Sequence, residues 1–171
     1  MNYSEPPMEV YLLRHGIAEN GKPGSRDADR ALTPEGKDKL RETIAVAGRA
    51  GLAPSLILTS PYQRAVETAR IAAERLKYKA EPLVSDAFLP GSTPDQAWNE
   101  IRLHKDADQL LITGHEPLLG YLTAYLLGSP SIDVDFKKGA IVRVDLDRFG
   151  PHPRGTLKWM LTPKLAARDN L

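Results

Sequence analysis

Short apolar runs that alternate with helix-start signals constrain this chain more than any other feature of its sequence. Met8-Glu9-Val10-Tyr11-Leu12-Leu13 is mostly apolar, rich in strand formers, and stops at Arg14-His15-Gly16. Leu56-Ile57-Leu58-Thr59 and Leu110-Leu111-Ile112-Thr113 repeat the pattern, stopping at Ser60 and at Gly114-His115. Nearly continuous apolar runs of this length belong to strands buried on both faces, as in a parallel sheet. Thr33-Pro34-Glu35 supplies a hydroxyl cap, a proline at the first helical position and an acid in the first turn, and Leu40, Ile44 and Ala47 follow at helical spacing. Ser60 and Gln63 fit a capping box for a second helix running to about Leu76. Thr93-Pro94-Asp95-Gln96 repeats that logic for a helix toward Leu103, and residues 117–127 read as an apolar helix. A further strand is expected around residues 80–84, and residues 132–161 alternate as a strand pair about a turn at 148–151. The alternation implies a three-layer α/β/α sandwich around a central, mostly parallel mixed sheet finished by antiparallel strands.

Length and composition narrow the function classes. The 171 residues are expected to form one domain, with residues 1–7 as a loose lead-in. Net charge is +1, which gives no support to a nucleic-acid or membrane-surface partner. The absence of cysteine excludes disulfide scaffolds, thiolate metal sites and cysteine nucleophiles. The four histidines show no ligand spacing, so no metal is expected. Residues 1–10 lack the basic and apolar regions of a signal peptide, and the apolar stretch 118–127 is too short to cross a bilayer. The expectation is a cytoplasmic protein.

The chemistry collects at three strand ends. In open α/β sheets ligands sit outside the carboxyl ends of the strands. Parallel strands would bring Arg14, His15 and Gly16, then Arg64 and Thr68 on one helix face, then His115, to the same edge. Each residue alone has a plainer reading, as a turn histidine, a solvated helix arginine or a loop histidine near a helix start. Together, two arginines and two histidines at helix N-termini suit a phosphoryl group. Arginine grips phosphate oxygens in pairs, and a neutral imidazole can attack phosphorus to form a phosphohistidine. Gly16 allows the close backbone approach that orients His15.

The residues that carry this pattern resemble a known family. Leu12-Leu13-Arg14-His15-Gly16, Leu32-Thr33-Pro34-Glu35-Gly36, the segment from Ser60-Pro61 through Arg64 to Thr68-Ala69, and Gly114-His115-Glu116-Pro117 resemble, in order, the landmarks of the histidine phosphatase superfamily, also called phosphoglycerate-mutase-like. The resemblance implies His15 as nucleophile, Arg14, Arg64 and His115 as phosphate ligands, and no cofactor. Small size, the lack of a long insertion and the tail Leu157-Lys158-Trp159-Met160-Leu161-Thr162-Pro163 are similar to the short phosphohistidine phosphatase branch, the SixA type. Other branches carry an acidic proton donor after the third strand. Here Ser85-Asp86-Ala87-Phe88-Leu89-Pro90-Gly91 matches only partly, and Asp86 and Glu19 are the candidate general acids, both equally readable as solvated loop carboxylates.

The expected reaction is therefore dephosphorylation of phosphohistidine on a protein. An imidazole, with a conjugate acid pKa of about 6.5, leaves more readily than an alkoxide and needs no strong acid. Two alternatives stand beside it: a phosphomonoesterase for a small metabolite, and a phosphate- or phosphoprotein-binding module without activity. Arg26, Asp27, Asp29 and Arg30 are read either as a pocket border or as a salt-bridge cluster, and Lys137 and Lys138 either as a contact for an acidic partner or as a solvated pair. His104 and His152 are expected at the surface.

Overall fold

Alternation along the first strand sorts the core into two layers. In the computed structural model, which describes residues 6–167, strand β1 (Met8–Arg14) sends Met8, Val10 and Leu12 to one face of the sheet and Tyr11 and Leu13 to the other. Strand β4 (Gln109–Gly114) divides in the same way, with Leu110 and Ile112 opposed to Leu111. β1 and β4 run parallel in the middle of the sheet. Strand β2 (Leu56–Thr59) pairs parallel with β4. The two-residue β3 (Leu83–Val84) closes that edge, also parallel. On the other side β5 (Ile141–Leu146) and β6 (Thr156–Leu161) add antiparallel, giving the order β3-β2-β4-β1-β5-β6.

Helices cover both faces. Helix α1 (Pro34–Arg49) buries Leu40, Ile44 and Ala47, and α2 (Gln63–Arg75) buries Ala69 and Ala72, all in the layer of Tyr11 and Leu13. Helix α3 (Pro94–Leu103) supplies Trp98 and Ile101, and α4 (Leu118–Leu126) supplies Leu118 and Leu122, to the opposite layer. A one-turn α5 (Pro163–Ala166) follows β6 and lies beside α1. The expected three-layer architecture with a mostly parallel mixed sheet is the one observed.

The caps of α1 and α3 are as the sequence implies. Thr33 accepts from Gly36 N, and Thr93 and Gln96 form a reciprocal capping box. Two local expectations are met with narrower bounds and one fails. The strand expected around 80–84 shrinks to Leu83–Val84, both about half exposed at the sheet edge (50% and 57%), because they have a strand neighbour on one side only. The tail pair begins only at Ile141, residues 147–155 connecting its two strands. Helix α2 starts at Gln63 with Tyr62 as its cap residue and no side-chain cap, so Ser60 and Gln63 make no capping box. Of the expected lead-in, residues 1–5 lie outside the described residues, and Pro6 and Pro7 are exposed.

Close backbone approach fixes the first turn of α1 against the segment after β1. Thr33 N donates to Ile17 O (2.9 Å), and a Cβ on Gly36 would stand 2.9 Å from Ile17 N. Backbone on both sides leaves no flexible group to yield, so Gly36→Ala is expected to cost about 1–3 kcal/mol in urea unfolding. Gly48, in the last turn of α1, faces only the Leu76 side chain at 3.1 Å, and Gly48→Ala should be neutral or stabilising. Equal effects at the two positions would contradict this packing.

Candidate active site

The parallel strands end on one edge, and backbone bonds continue past them to hold the connecting segments together. His15 N donates to Gly114 O (3.0 Å), Ser60 N to Thr113 O (3.1 Å) and Ser85 N to Thr59 O (2.9 Å). Gly139 N donates to the carbonyls of both Arg14 and His15, at 3.1 Å each. Thr68 on α2 joins two of these pieces: its hydroxyl donates to Arg64 O (2.7 Å) and accepts from Gly16 N (3.3 Å). Gly16 is pressed between them, with Leu40 Cδ1 2.7 Å from where a Cβ would lie. The sequence thus places His15 and Arg64 in adjacent rigid frames.

Arg14, His15, Arg64 and His115 come together at this edge, as expected from the sequence. His15 is 6% exposed, Arg64 6% and His115 1%. The His15 Nδ1 lies 2.7 Å from the Gly16 carbonyl, which can only accept, so Nδ1 carries the proton. That tautomer leaves a lone pair on Nε2, and Arg64 Nε donates to it at 3.3 Å. The two imidazole rings are 5.2 Å apart between centroids. Arg14 Nη1 donates to Phe136 O (2.7 Å). Two buried side-chain nitrogens have no hydrogen-bond partner among the described residues, Arg14 Nε and His115 Nδ1, and both belong to this group. Burial of unpaired polar nitrogens is costly and rare, and marks a place where another polar group belongs.

Burial and neighbouring charge hold both imidazoles neutral. Burial above all, then Arg64, Arg14 and Lys138, pushes the His15 pKa down to about 4 against the opposing Gly16 hydrogen bond. Burial, then His15 and Arg64, pushes His115 down to about 3. Burial also lowers the pKa of Arg14, which stays charged all the same.

Two contributors, Ser60 and Tyr62, escaped the sequence reading, and a third, Asp27, was read without its partner. Ser60 Oγ lies 2.7 Å from His115 Nε2, which explains why it is not spent on a capping box. Tyr62 stands edge-on to His115 with ring centroids 5.2 Å apart, and the Arg64 guanidinium sits 5.0 Å over its ring. Asp27, read only as a pocket border or cluster member, binds Arg64 directly: Nη1 donates to its carbonyl (2.9 Å) and Nη2 to its carboxylate (3.1 Å). The only signal for Ser60 and Tyr62 was their place just after β2, and hydroxyl residues there also suit a cap. Both readings of the 26–30 segment hold, since Arg26 pairs with Asp29, and Arg30 with Asp27. Hydrogen bonds from Arg30, then Arg64, keep the Asp27 carboxyl below its usual range.

The remaining candidates make no hydrogen bond to the group among the described residues. Glu19 and Asp86 are exposed, and among the described residues neither carboxylate bonds to any of the four side chains. Asp86 nonetheless sits in a short 3-10 turn (Asp86–Phe88) right after β3, at the same sheet edge. Lys137 and Lys138 are exposed, Lys137 pairing with Asp135 at 2.9 Å. His152 is exposed and His104, partly exposed, faces Glu100 at 3.1 Å. Among the described residues no cluster of three or more metal-ligating side chains occurs, and no helix is long and apolar enough to cross a membrane.

Known proteins resemble this chain in sequence and in fold. Residues 10–88 match the family model of the histidine phosphatase superfamily (branch 1). The chain is 31% identical over 162 residues to an uncharacterised protein of Picosynechococcus sp., covering 92% of this chain and 98% of that one. It is 28% identical over 162 residues to the phosphohistidine phosphatase SixA of Escherichia coli (strain K12), covering 91% and 94%. A solved structure of the protein histidine phosphatase SixA complexed with tungstate is 26% identical with a TM-score of 0.82, over 92% of this chain and 98% of that one. Likeness in sequence and in fold extends across nearly the whole chain and agrees with the motif order, so this protein belongs to the histidine phosphatase superfamily, as a hydrolase of the SixA type.

Proposed function

We propose that the protein removes the phosphoryl group from phosphohistidine on protein substrates, through a phosphohistidine formed at His15. The observation that carries the reading is the His15 tautomer. Its Nδ1 proton is held by Gly16 O, so Nε2 presents a lone pair amid Arg14, Arg64 and His115. In the first step Nε2 attacks phosphorus, the new P–N bond forms, and the bond to the substrate nitrogen breaks. The electron pair goes to the departing ring, which leaves as neutral imidazole when its other nitrogen carries a proton. Water then attacks the phosphorus on His15, the P–N bond breaks, and the water proton passes to solvent or phosphate. Because Nδ1 of His15 is already protonated, His15 also leaves as a neutral ring. Neither departure needs a strong acid.

The arginines and His115 take up the phosphoryl charge. Arg14 Nε and His115 Nδ1 gain phosphoryl oxygens as partners, and the fixed cations meet the charge that spreads over those oxygens in the transition state. Asp27 orients the guanidinium of Arg64 while leaving its Nε toward His15. What favours a protein substrate is the shape of the sheet edge. The connections 15–33, 60–62, 85–93 and 115–117 contain no helix or strand longer than a three-residue 3-10 turn. These connections insert no long helix or strand over the edge, which supports approach by a histidine on a folded partner.

His15→Ala should lower phosphate release by roughly 10³-fold or more on every substrate, as loss of a nucleophile does. With wild-type protein, a phosphohistidine-bearing protein should be turned over faster than a panel of small phosphomonoesters. Faster turnover of the esters would assign a small metabolite instead, and no release from any substrate would leave a binding module.

The neutral imidazoles also predict how stability follows pH. Unfolded histidine titrates near 6.5, whereas folded His15 and His115 titrate near 4 and 3. Between those limits the unfolded chain binds protons that the folded one refuses, so stability falls as pH drops from about 6.5 toward 4, at about 1.4 kcal/mol per unit for each histidine. The fall should level off below the folded values. Urea unfolding from pH 7 to pH 4 should show it, and His15→Ala should be less pH-sensitive than wild type. An unchanged slope in that variant would show that His15 is not held neutral.

A further inference from the structure

A recess of about 690 Å³ opens directly beside the proposed phosphoryl site, and it is lined by Arg14, Ile17, Lys39, Lys137, Lys138, Thr162, Pro163 and Lys164. Four lysines from three separate parts of the chain converge on it: Lys39 from α1, Lys137 and Lys138 from the segment before β5, and Lys164 from α5. The protein as a whole is nearly neutral, at +1. Lys39 has Glu35 at 2.8 Å and Lys137 has Asp135 at 2.9 Å, both carboxylates well exposed, and Arg14 and Lys138 add positive charge to the recess. Two of the lining residues reach the site itself. Arg14 belongs to both, and the charge of Lys138 is close enough to His15 to help keep its ring neutral.

We propose that this recess docks an acidic segment of the phosphoprotein substrate, next to the histidine being dephosphorylated. The inference rests on the phosphatase reading above and names the partner's chemistry. Lysines suit that role better than arginines would. They are flexible point charges that follow carboxylates at several positions, where a guanidinium fork would fix one phosphate in one geometry. The volume takes several side chains rather than a single anion, and Ile17 and Pro163 give the recess apolar wall for the stems of Glu side chains. Since Arg14 lines the recess and directly precedes His15 in the chain, a phosphorylated side chain at His15 would bring its flanking residues toward the lysines.

Two phosphohistidine peptides of the same length test this, one with Glu at three positions flanking the phosphohistidine and one with Gln there. At low ionic strength the wild type should favour the acidic peptide by about tenfold in kcat/KM, and the preference should shrink at high salt. Lys137→Glu/Lys138→Glu should bring the ratio of the two kcat/KM values to one or below. Lys137→Gln/Lys138→Gln, which removes the two charges without adding new ones, should give an intermediate ratio. Equal wild-type turnover of the two peptides overturns the docking inference while leaving the phosphatase reading intact. A preference that survives the charge reversal overturns it as well. Hydrolysis of neither peptide, alongside ready hydrolysis of small bisphosphorylated esters that Lys137→Glu/Lys138→Glu abolishes, overturns both readings and assigns the lysines to a metabolite's second phosphate.

Discussion

The hydrogen bond from His15 Nδ1 to the carbonyl of its own neighbour, Gly16, is the contact on which the rest of the site depends. It is local, made within two residues, and it decides which ring nitrogen is free. Yet it holds only because Gly16 is pinned from outside. Its N–H donates to Thr68, and Leu40 occupies the space a side chain would need. Two helices on the same face of the sheet therefore set the tautomer of a histidine at the end of β1. The protonation state has a different origin. Burial, with Arg64 and Arg14 alongside, keeps the ring neutral, so in the proposed reaction the charges suited to an anion also prepare the lone pair that attacks it.

Arg64 ties this centre to the segment between β1 and α1. Its Nε faces His15, while its two terminal nitrogens go to the carbonyl and carboxylate of Asp27. Asp27 is in turn bound by Arg30, whose Nε donates to the backbone of Glu19. A chain of charged hydrogen bonds thus runs from the buried guanidinium to an exposed turn. Because Asp27 is itself largely exposed, this chain is screened by solvent at its outer end and firm at its inner end. A guanidinium held through two of its nitrogens loses little freedom when it meets a phosphoryl group, and that is the advantage of presetting it.

Most of this was legible from the chain. The strands were readable because buried parallel strands need apolar runs, and the helix starts at Thr33 and Thr93 because caps need particular side chains. His15, Arg14, Arg64 and His115 were readable because each lies just past such a run. What stayed hidden were contacts between segments far apart in sequence. Nothing local separates a serine that caps a helix from one that faces a histidine 55 positions away, and at Ser60 the second role won. Asp27 was placed beside the pocket, but its bond to Arg64 spans 37 positions and leaves no periodic trace. The strand expected at 80–84 came out shorter for the opposite reason. An edge position with one neighbour can stop after two residues, and strand propensity alone does not mark the edge.

In the proposed reaction, a leaving group that needs no strong acid and connections without long inserted helices belong together. An alkyl phosphate needs its leaving oxygen protonated as the bond breaks, which calls for an acid held at a raised pKa in a place sheltered from water. Such shelter comes from inserted elements over the sheet edge, and those same elements would keep a folded protein out. A phosphoimidazole substrate removes the need for the acid, and with it the need for the roof. Asp27 illustrates the point: it is held ionised by Arg30 and Arg64, which suits it to orient a cation and unsuits it to give up a proton. In the proposed reaction, positive charge and a prepared tautomer do the work that an acid does elsewhere, and the exposed lysines beside Arg14 can then face a protein surface rather than the inside of a closed pocket.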